Sequence, residues 1–525
     1  MKLQSQAREG RARLISYLGI MALVAFKLWL VHEEDIVGSA TQFDALWYVR
    51  SASHWYWGTP YDWVAFIRPC AYPLWIASVH WLHLPLRLAI ELFQLGGALL
   101  VTFALRRLGV RREICVAGLA AICLHPAGYQ LNDYSMSDTF YAAGLWYVLG
   151  GLILTMALPR WWIAACTGVA IAVLWMTREE GVLLIAIVAL WAFFCLRRGI
   201  SVRLVVTTCL VATLMVVSFY TVNYSVFRSF ARSEMTSRTF STLFHSLLRI
   251  RTLEPKRYAP ITAKALAAAF QVSPTFARLR PQLEGGMGQG WQTETFHRVG
   301  VRDEIGAGWI VWATRQAASI NGYFASVDKA HHFFRKAAQE INRACDDGRL
   351  PTRFVVDGFL DPLAQVGGIG ALPHSARRVA ARFFGRWSIR AIADDNILTA
   401  AEASLYNEMT LRRSAGVGSR KGAAFVVERF IGRRYFIVSI ACHLLAVGAV
   451  ILLLWKRRQL PVRKGYGDAI VLLDLAVFLR AGLFSWLDAT AFDGTEDRFL
   501  FPVLPLWIMV LLLIAGWSWS KVKVT

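Results

Sequence analysis

The residues able to move a proton or hold an anion fall in four short stretches, each beside the end of an apolar run. Asp44 stands in FDALWYV and is followed by Arg68 in RPCAYP. Asp138 stands in NDYSMSDTFYAAGLW. Arg178 and Glu179 belong to TREEG, and Glu496 and Arg498 to DGTEDRFLFPVLP. A carboxylate beside a hydroxyl takes its proton or orients it. Guanidinium groups hold phosphate through planar, permanently charged donors. The set therefore contains the parts for moving a group from a phosphate to a hydroxyl. Each member also has a plainer reading. Asp44 and Asp138 stand where helix N-caps occur. TREEG reads as a solvated span end, and a boundary arginine snorkels.

The segment that must position Asp44 and Arg68 runs from Thr41 to Pro73. Gly58, Pro60, Pro69 and Pro73 interrupt it, so it is a poor bilayer span. It is dense in aromatics, Tyr48, Trp55, Trp63 and Tyr72 among them, and such rings favour the boundary between headgroups and water. One or two short helices on the membrane surface are expected, with Tyr48 and Tyr72 among their rings.

The remaining elements follow from hydropathy. Of 525 residues, 56% are hydrophobic, with several apolar runs near twenty long, which predicts a polytopic membrane protein. The runs do not alternate, so helices rather than a closed barrel are expected. About ten spans are predicted: 14–31, 88–105, 113–128, 138–158, 161–177, 181–196, 202–224, 435–455, 468–486 and 500–518. Segment 70–84 is expected not to cross. Short loops rich in Arg and Lys then share one side: Arg106 to Arg112, Arg197 to Arg203, Lys456 to Lys464, and Lys521 with Lys523. The acids Asp44, Asp133, Asp138, Glu179, Glu180, Asp488, Asp493 and Glu496 share the other. The span interiors read as nearly free of charge, Lys27 and Asp474 apart, and no internal repeat is visible; both features disfavour a transporter.

Three regions result: a membrane module over 1–227 with a first outer loop at 32–87, a polar insert over 228–434, and terminal helices over 435–525. KALAAAFQV, HHFFRKAAQEINRACDDGRL and HSARRVAARFFGRWSIRAIADD show helical periodicity inside the insert. The formal charge of +22 is accounted for by span ends and by the insert, so membrane lipid rather than nucleic acid is the expected partner. Eight cysteines include no CxxC pair; Cys70 and Cys345 alone lie outside apolar runs. No His/Cys cluster has ligand spacing, and neither GxxxxGK[ST] nor GxGxxG occurs, so no metal or cofactor is expected and a nucleotide sugar is disfavoured.

The order of these features is an acid after span one, a YP-containing surface helix, a second acid, TREEG, then ED-R-FLFP-LP before the last span. This order resembles the GT-C class of membrane glycosyltransferases, such as protein O-mannosyltransferases and the aminoarabinose transferases that modify lipid A. The resemblance covers about 1–225 and 435–525 and leaves the insert unmatched. It implies an all-α, GT-C-like bundle with amphipathic juxtamembrane helices and an outward-facing, mainly helical domain. It also implies a polyprenyl-phosphate-linked sugar donor and an outward-facing lipid, glycan or protein acceptor. Asp44 and Asp138 match catalytic positions, while Arg68, Arg498 and Arg178 match donor-phosphate positions. Glu179 and Glu496, with the two tyrosines, are expected in the substrate cavity. Transfer with inversion by a monomer, at the periplasmic face of a bacterial inner membrane, is the implied activity. One departure is that a single acid, Asp44, follows Gln42 and Phe43 where the class often has two adjacent acids. The alternatives are a transporter or flippase of lipid-linked saccharides, and an oligosaccharide ligase or polymerase using a diphosphate-linked glycan.

Overall fold

A computed structural model describes residues 2–39, 43–306, 308–355, 368–385, 387–390, 398–412, 422–455 and 465–522. Gln42, the basic run from Lys456 to Lys464, and Lys523 lie outside the described residues. The architecture is helical throughout. Apart from two isolated bridges, no strand pairing occurs among the described residues.

The N-terminal part contains α1 (Lys2–Val31), α2 (Phe43–Ser53), α3 (Ala71–Trp81), α4 (Leu86–Arg107), α5 (Arg112–Cys123), α6 (Pro126–Leu131), α7 (Ser137–Ala157), α8 (Trp161–Trp175), α9 (Leu183–Arg197) and α10 (Val202–Phe227). The polar insert folds into α11 (Arg238–Leu248), α12 (Ala263–Val272), α13 (Pro274–Ala277), α14 (Arg280–Leu283), α15 (Gly286–Val299), α16 (Trp309–Ile320), α17 (Val327–Asp346), α18 (Gly368–Arg382) and α19 (Ala400–Thr410). The chain ends with α20 (Gly422–Trp455), α21 (Tyr466–Thr490), α22 (Asp497–Leu500) and α23 (Leu504–Val522). The three periodic insert segments fall on α12, α17 and α18, although α18 stops before the end of its predicted stretch.

Among the described residues eight segments are long and apolar enough to cross a membrane, against about ten expected. The difference lies in α8, with 15 residues, and in Leu504–Trp517, the described apolar part of α23. Fifteen residues rise only about 22 Å, less than the roughly 30 Å hydrocarbon core. Pro126 lacks an N–H and divides α5 from α6 within one span.

The axial element is α7, almost wholly buried, with α4 on one side and α8 on the other. Glycines permit this approach. A Cβ at Gly150 would lie 3.0 Å from the Val101 backbone nitrogen, and one at Gly151 only 2.5 Å from Thr167 Oγ1. Close contact through small residues is how helices gain packing where lipid offers no hydrophobic drive.

Helix α3 rises only about 16 Å, and both of its flanks sit at the same end of the bundle. The Ala71 amide donates to the Met176 carbonyl at 3.0 Å. Beyond α3, Arg87 pairs with Glu34 and lies 3.0 Å from Asp133. Segment 70–84 therefore does not cross. Arg106, Arg107, Arg111, Arg112, Arg197, Arg198 and Arg203 collect at the opposite end.

The span interiors carry more charge than Lys27 and Asp474. Glu91 and Arg480 are also inside spans and are 1% and 2% exposed. Glu91 lies 3.4 Å from Lys27 and 2.6 Å from Arg87. Asp133 and Glu34, acids of the outer loops, are buried against the same Arg87.

The insert is fastened to both membrane parts. Arg315 of α16, fully buried, donates from Nε to the Trp63 carbonyl (2.8 Å) and from Nη2 to the Ala65 carbonyl (3.0 Å). Its Nη1 lies 3.2 Å from Glu234, whose amide donates to the Phe66 carbonyl at 2.7 Å. On the other side Arg257 and Tyr258 donate to the Asp488 carbonyl at 3.0 and 2.9 Å. Arg378 of α18 reaches the Asp488 carboxylate at 3.0 Å. Cys70 and Cys345 are both free thiols, buried in separate apolar clusters.

Candidate active site

The loop between α2 and α3 has a fixed shape. Asp62 accepts from the Val64 and Ala65 amides at 2.9 and 3.0 Å, and Arg50 holds its other oxygen at 2.7 Å. Phe66 adopts a left-handed backbone (φ 60°), stacks on Phe227 and has its carbonyl bound by Glu234. A non-glycine residue keeps such a conformation only where its surroundings over-determine it. The Tyr56 hydroxyl donates to the Arg68 carbonyl at 2.7 Å and completes the seat.

From there Arg68 turns toward the first turn of α2. Its Nη2 lies 2.9 Å from each oxygen of Asp44, and its Nε lies 3.2 Å from Oδ1. Asp44 is thus engaged with a cation and does not cap its helix. Arg68 Nη1 lies 3.6 Å from Glu179. Burial works against the charge of Arg68, but Asp44, Tyr48 and Glu179 more than offset this and raise its pKa above the ordinary arginine value. The Trp312 ring of the insert covers this guanidinium at 5.2 Å and meets Trp47 at 4.5 Å.

Arg178, extended ahead of the 3₁₀ turn Glu179–Val182, makes a second ion-pair group. It grips Glu180 with Nε (2.9 Å) and Nη2 (3.2 Å). Its Nη1 donates to Ser137 at 3.0 Å. The same nitrogen is 2.9 Å from Asp138 Oδ2, but off any hydrogen-bonding direction. Both Asp138 oxygens are buried without a hydrogen-bond donor. Burial opposes the charge of Arg178 too, yet Asp138 and Glu180 raise its pKa.

Asp44, Arg68, Arg178, Glu179, Glu496 and Arg498 line one cavity of about 630 Å³. The insert supplies more than half of its wall, including Phe240, Phe244, Trp291, Trp309 and Trp312. Asp138 is not on that wall. It opens on a neighbouring cavity of about 150 Å³ shared with Asp497, and Glu496 and Arg498 form the partition between the two. Arg498 Nε lies 2.7 Å from Glu496. In the smaller cavity burial pushes the Asp497 carboxyl above its ordinary value, with Arg382 at 3.6 Å as a partial offset.

Tyr48 and Tyr72 do not line either cavity. They are 2% and 0% exposed, pack edge to face at 5.0 Å and belong to the apolar cluster beneath α2. An amphipathic ring satisfies its hydroxyl inside the protein as readily as at an interface. Tyr48 does so on Ser137 at 2.9 Å. Burial raises its pKa, which keeps the hydroxyl protonated.

Four participants escaped the sequence reading. Glu180 was placed among the outer acids, but without its bond to Arg178. Arg480 stands out as a charge in an apolar run, which is a usable signal. Trp312 and Ser137 carry no signal, because only folding brings them to the site.

No family model matches the chain, and no curated protein is significantly similar to it. A solved structure that it matches is a crystal structure of ArnT from Cupriavidus metallidurans bound to undecaprenyl phosphate. The match has 13% identity and a TM-score of 0.31, and covers 96% of this chain and 77% of that chain.

Proposed function

We propose that this protein is an integral-membrane glycosyltransferase. It moves one sugar from a polyprenyl-phosphate donor to an acceptor hydroxyl beneath the insert. The observation that carries the reading is the Asp44–Arg68 pair, 2.9 Å apart on the wall of a cavity that also presents Arg178 and Arg498. A base and several phosphate-holding cations share one aromatic chamber at one end of a membrane bundle. The arginine-rich loops at the opposite end support a cytoplasmic assignment for that end, which gives the chamber the periplasmic side of an inner membrane.

In the proposed step the acceptor oxygen forms a bond to the anomeric carbon. The bond from that carbon to the phosphate oxygen breaks, and its electron pair leaves with the phosphate. Asp44 receives the hydroxyl proton. Arg68, Arg178 and Arg498 balance the phosphate charge as the leaving group departs. One displacement from the opposite face inverts the anomeric carbon. Asp138, behind the Glu496–Arg498 partition, acts through Arg178, 2.9 Å away, by positioning that cation. The donor tail stays in lipid, and the insert, over 228–434, supplies the acceptor contacts.

The test is transfer by the purified full chain with a short-chain polyprenyl-phosphate sugar, comparing wild type with Asp44→Asn. The variant keeps the fold and loses about 10²–10⁴ of turnover, the usual range for a general base. Wild-type turnover in the variant removes Asp44 from the chemistry.

A further inference from the structure

Of the buried cations among the described residues that the proposed reaction does not use, Arg480 alone is in contact with the carboxylate that holds Arg178. Arg480 lies in α21 within FLRAGLF and is 2% exposed. Its Nη1 is 3.4 Å from Glu180 Oε2, the same oxygen that Arg178 Nε contacts at 2.9 Å. Its Nε donates to the Phe499 carbonyl at 2.5 Å, beside Arg498. Tyr141 and Phe484 cover it at 4.8 and 4.9 Å. Its Nη2 is buried without an acceptor.

Charges alternate along Arg480, Glu180, Arg178 and Asp138, from α21 across to α7. Arg178 is held by carboxylates, so it reaches an incoming phosphate only by loosening its grip on them. A buried carboxylate abandoned by its partner is strongly unfavourable. Glu180 alone has a second guanidinium already in contact, and that guanidinium has a free N–H facing no acceptor. We infer that Arg480 is a positioning residue for donor binding: it takes over Glu180 when Arg178 turns to the donor phosphate. This rests on the glycosyltransferase reading and adds the exchange that lets a fully paired site accept an anion.

The test is a double-mutant cycle on the full chain in nanodiscs, reading affinity for a short-chain polyprenyl phosphate without sugar. Alone, Arg480→Met weakens binding at least tenfold and raises the donor KM more than it lowers kcat. In the E180Q background the same change weakens binding less than twofold, because no carboxylate is left stranded. If Arg480→Met does not fold, Arg480→Lys takes its place, with a loss of threefold or more that vanishes in E180Q. Equal losses in both backgrounds, or no loss in either, overturn the inference, since an arginine that acts only through the Phe499 carbonyl and its ring contacts costs the same whatever stands at 180. Failure of the wild type to bind polyprenyl phosphate sinks the glycosyltransferase reading itself. Wild-type binding with an unaffected R480M sinks only the role of Arg480.

Discussion

The guanidinium of Arg68 lies 5.2 Å from the centre of the Trp312 ring, so the insert and the first loop meet over the same cation. Trp312 covers one side of the Asp44–Arg68 pair, and ion pairs strengthen as water is removed. Trp312→Ala is expected to lower kcat/KM at least tenfold while the chain stays folded. Truncating a buried Trp usually removes about 3–5 kcal/mol. Trp312 borders a cavity, so the lower end applies here. Trp312→Phe keeps a ring and retains most activity. Donor-dependent transfer, with a melting curve for each variant, checks this; equal transfer by W312A and wild type removes the ring from the site.

Arg315 joins the insert to the loop that seats Arg68. Its removal takes the guanidinium from the buried Glu234 and the donors from two carbonyls. Breaking a buried pair this way removes about 3–5 kcal/mol. Arg315→Met is expected to expose the insert to limited proteolysis and to abolish transfer, leaving the membrane helices intact. Protease resistance equal to wild type counts against the anchor.

Arg87 faces Glu34, Glu91 and Asp133, with Lys27 as the second cation. Arg87→Met leaves three buried acids to one lysine, whereas Glu91→Gln leaves Arg87 its two other acids and Lys27 the Tyr129 ring. The first is expected to lower the melting temperature much more than the second. Thermal unfolding of both variants in one detergent measures the order, and a reversed order refutes the assignment.

Glu340 gives the insert a pH signature. It accepts from Ser273 Oγ (2.6 Å), the Thr275 amide (3.0 Å) and Thr275 Oγ1 (2.7 Å). Burial raises its pKa, but these bonds more than offset that and lower it below the ordinary 4.5. The stabilisation is therefore complete above about pH 4.5 and is lost as pH falls through the lowered folded value. Glu340→Gln flattens that acid limb of the insert's unfolding curve; an unchanged slope assigns it to other groups.

The polytopic helical fold was legible because lipid imposes long apolar runs on a chain that crosses it. Asp44, Arg68, Arg178, Glu179, Glu496 and Arg498, which line one cavity, were legible as candidates because charged residues stand out at the ends of such runs. Their arrangement was not. The partition of Glu496 and Arg498 between Asp138 and the main chamber depends on where α22 starts, which hydropathy does not register. Tyr48 and Tyr72 misled because an aromatic tip reads the same in a core as at a headgroup. Glu91 and Arg480 were visible as charges inside apolar runs, but their partners Lys27 and Glu180 lie on other elements that only folding brings together. The insert gave up its helices, through periodicity, but not Trp312 or Arg315, whose partners lie far back in the sequence.

The insert grips residues 63–66 with Arg315 and Glu234, and the α21 terminus with Arg257, Tyr258 and Arg378. It thus works as a tie beam between the two halves of the bundle. Rigid rocking of those halves past one another would break one of its footings. If the proposed transfer needs no such rocking, a cross-link locking the halves together leaves it running.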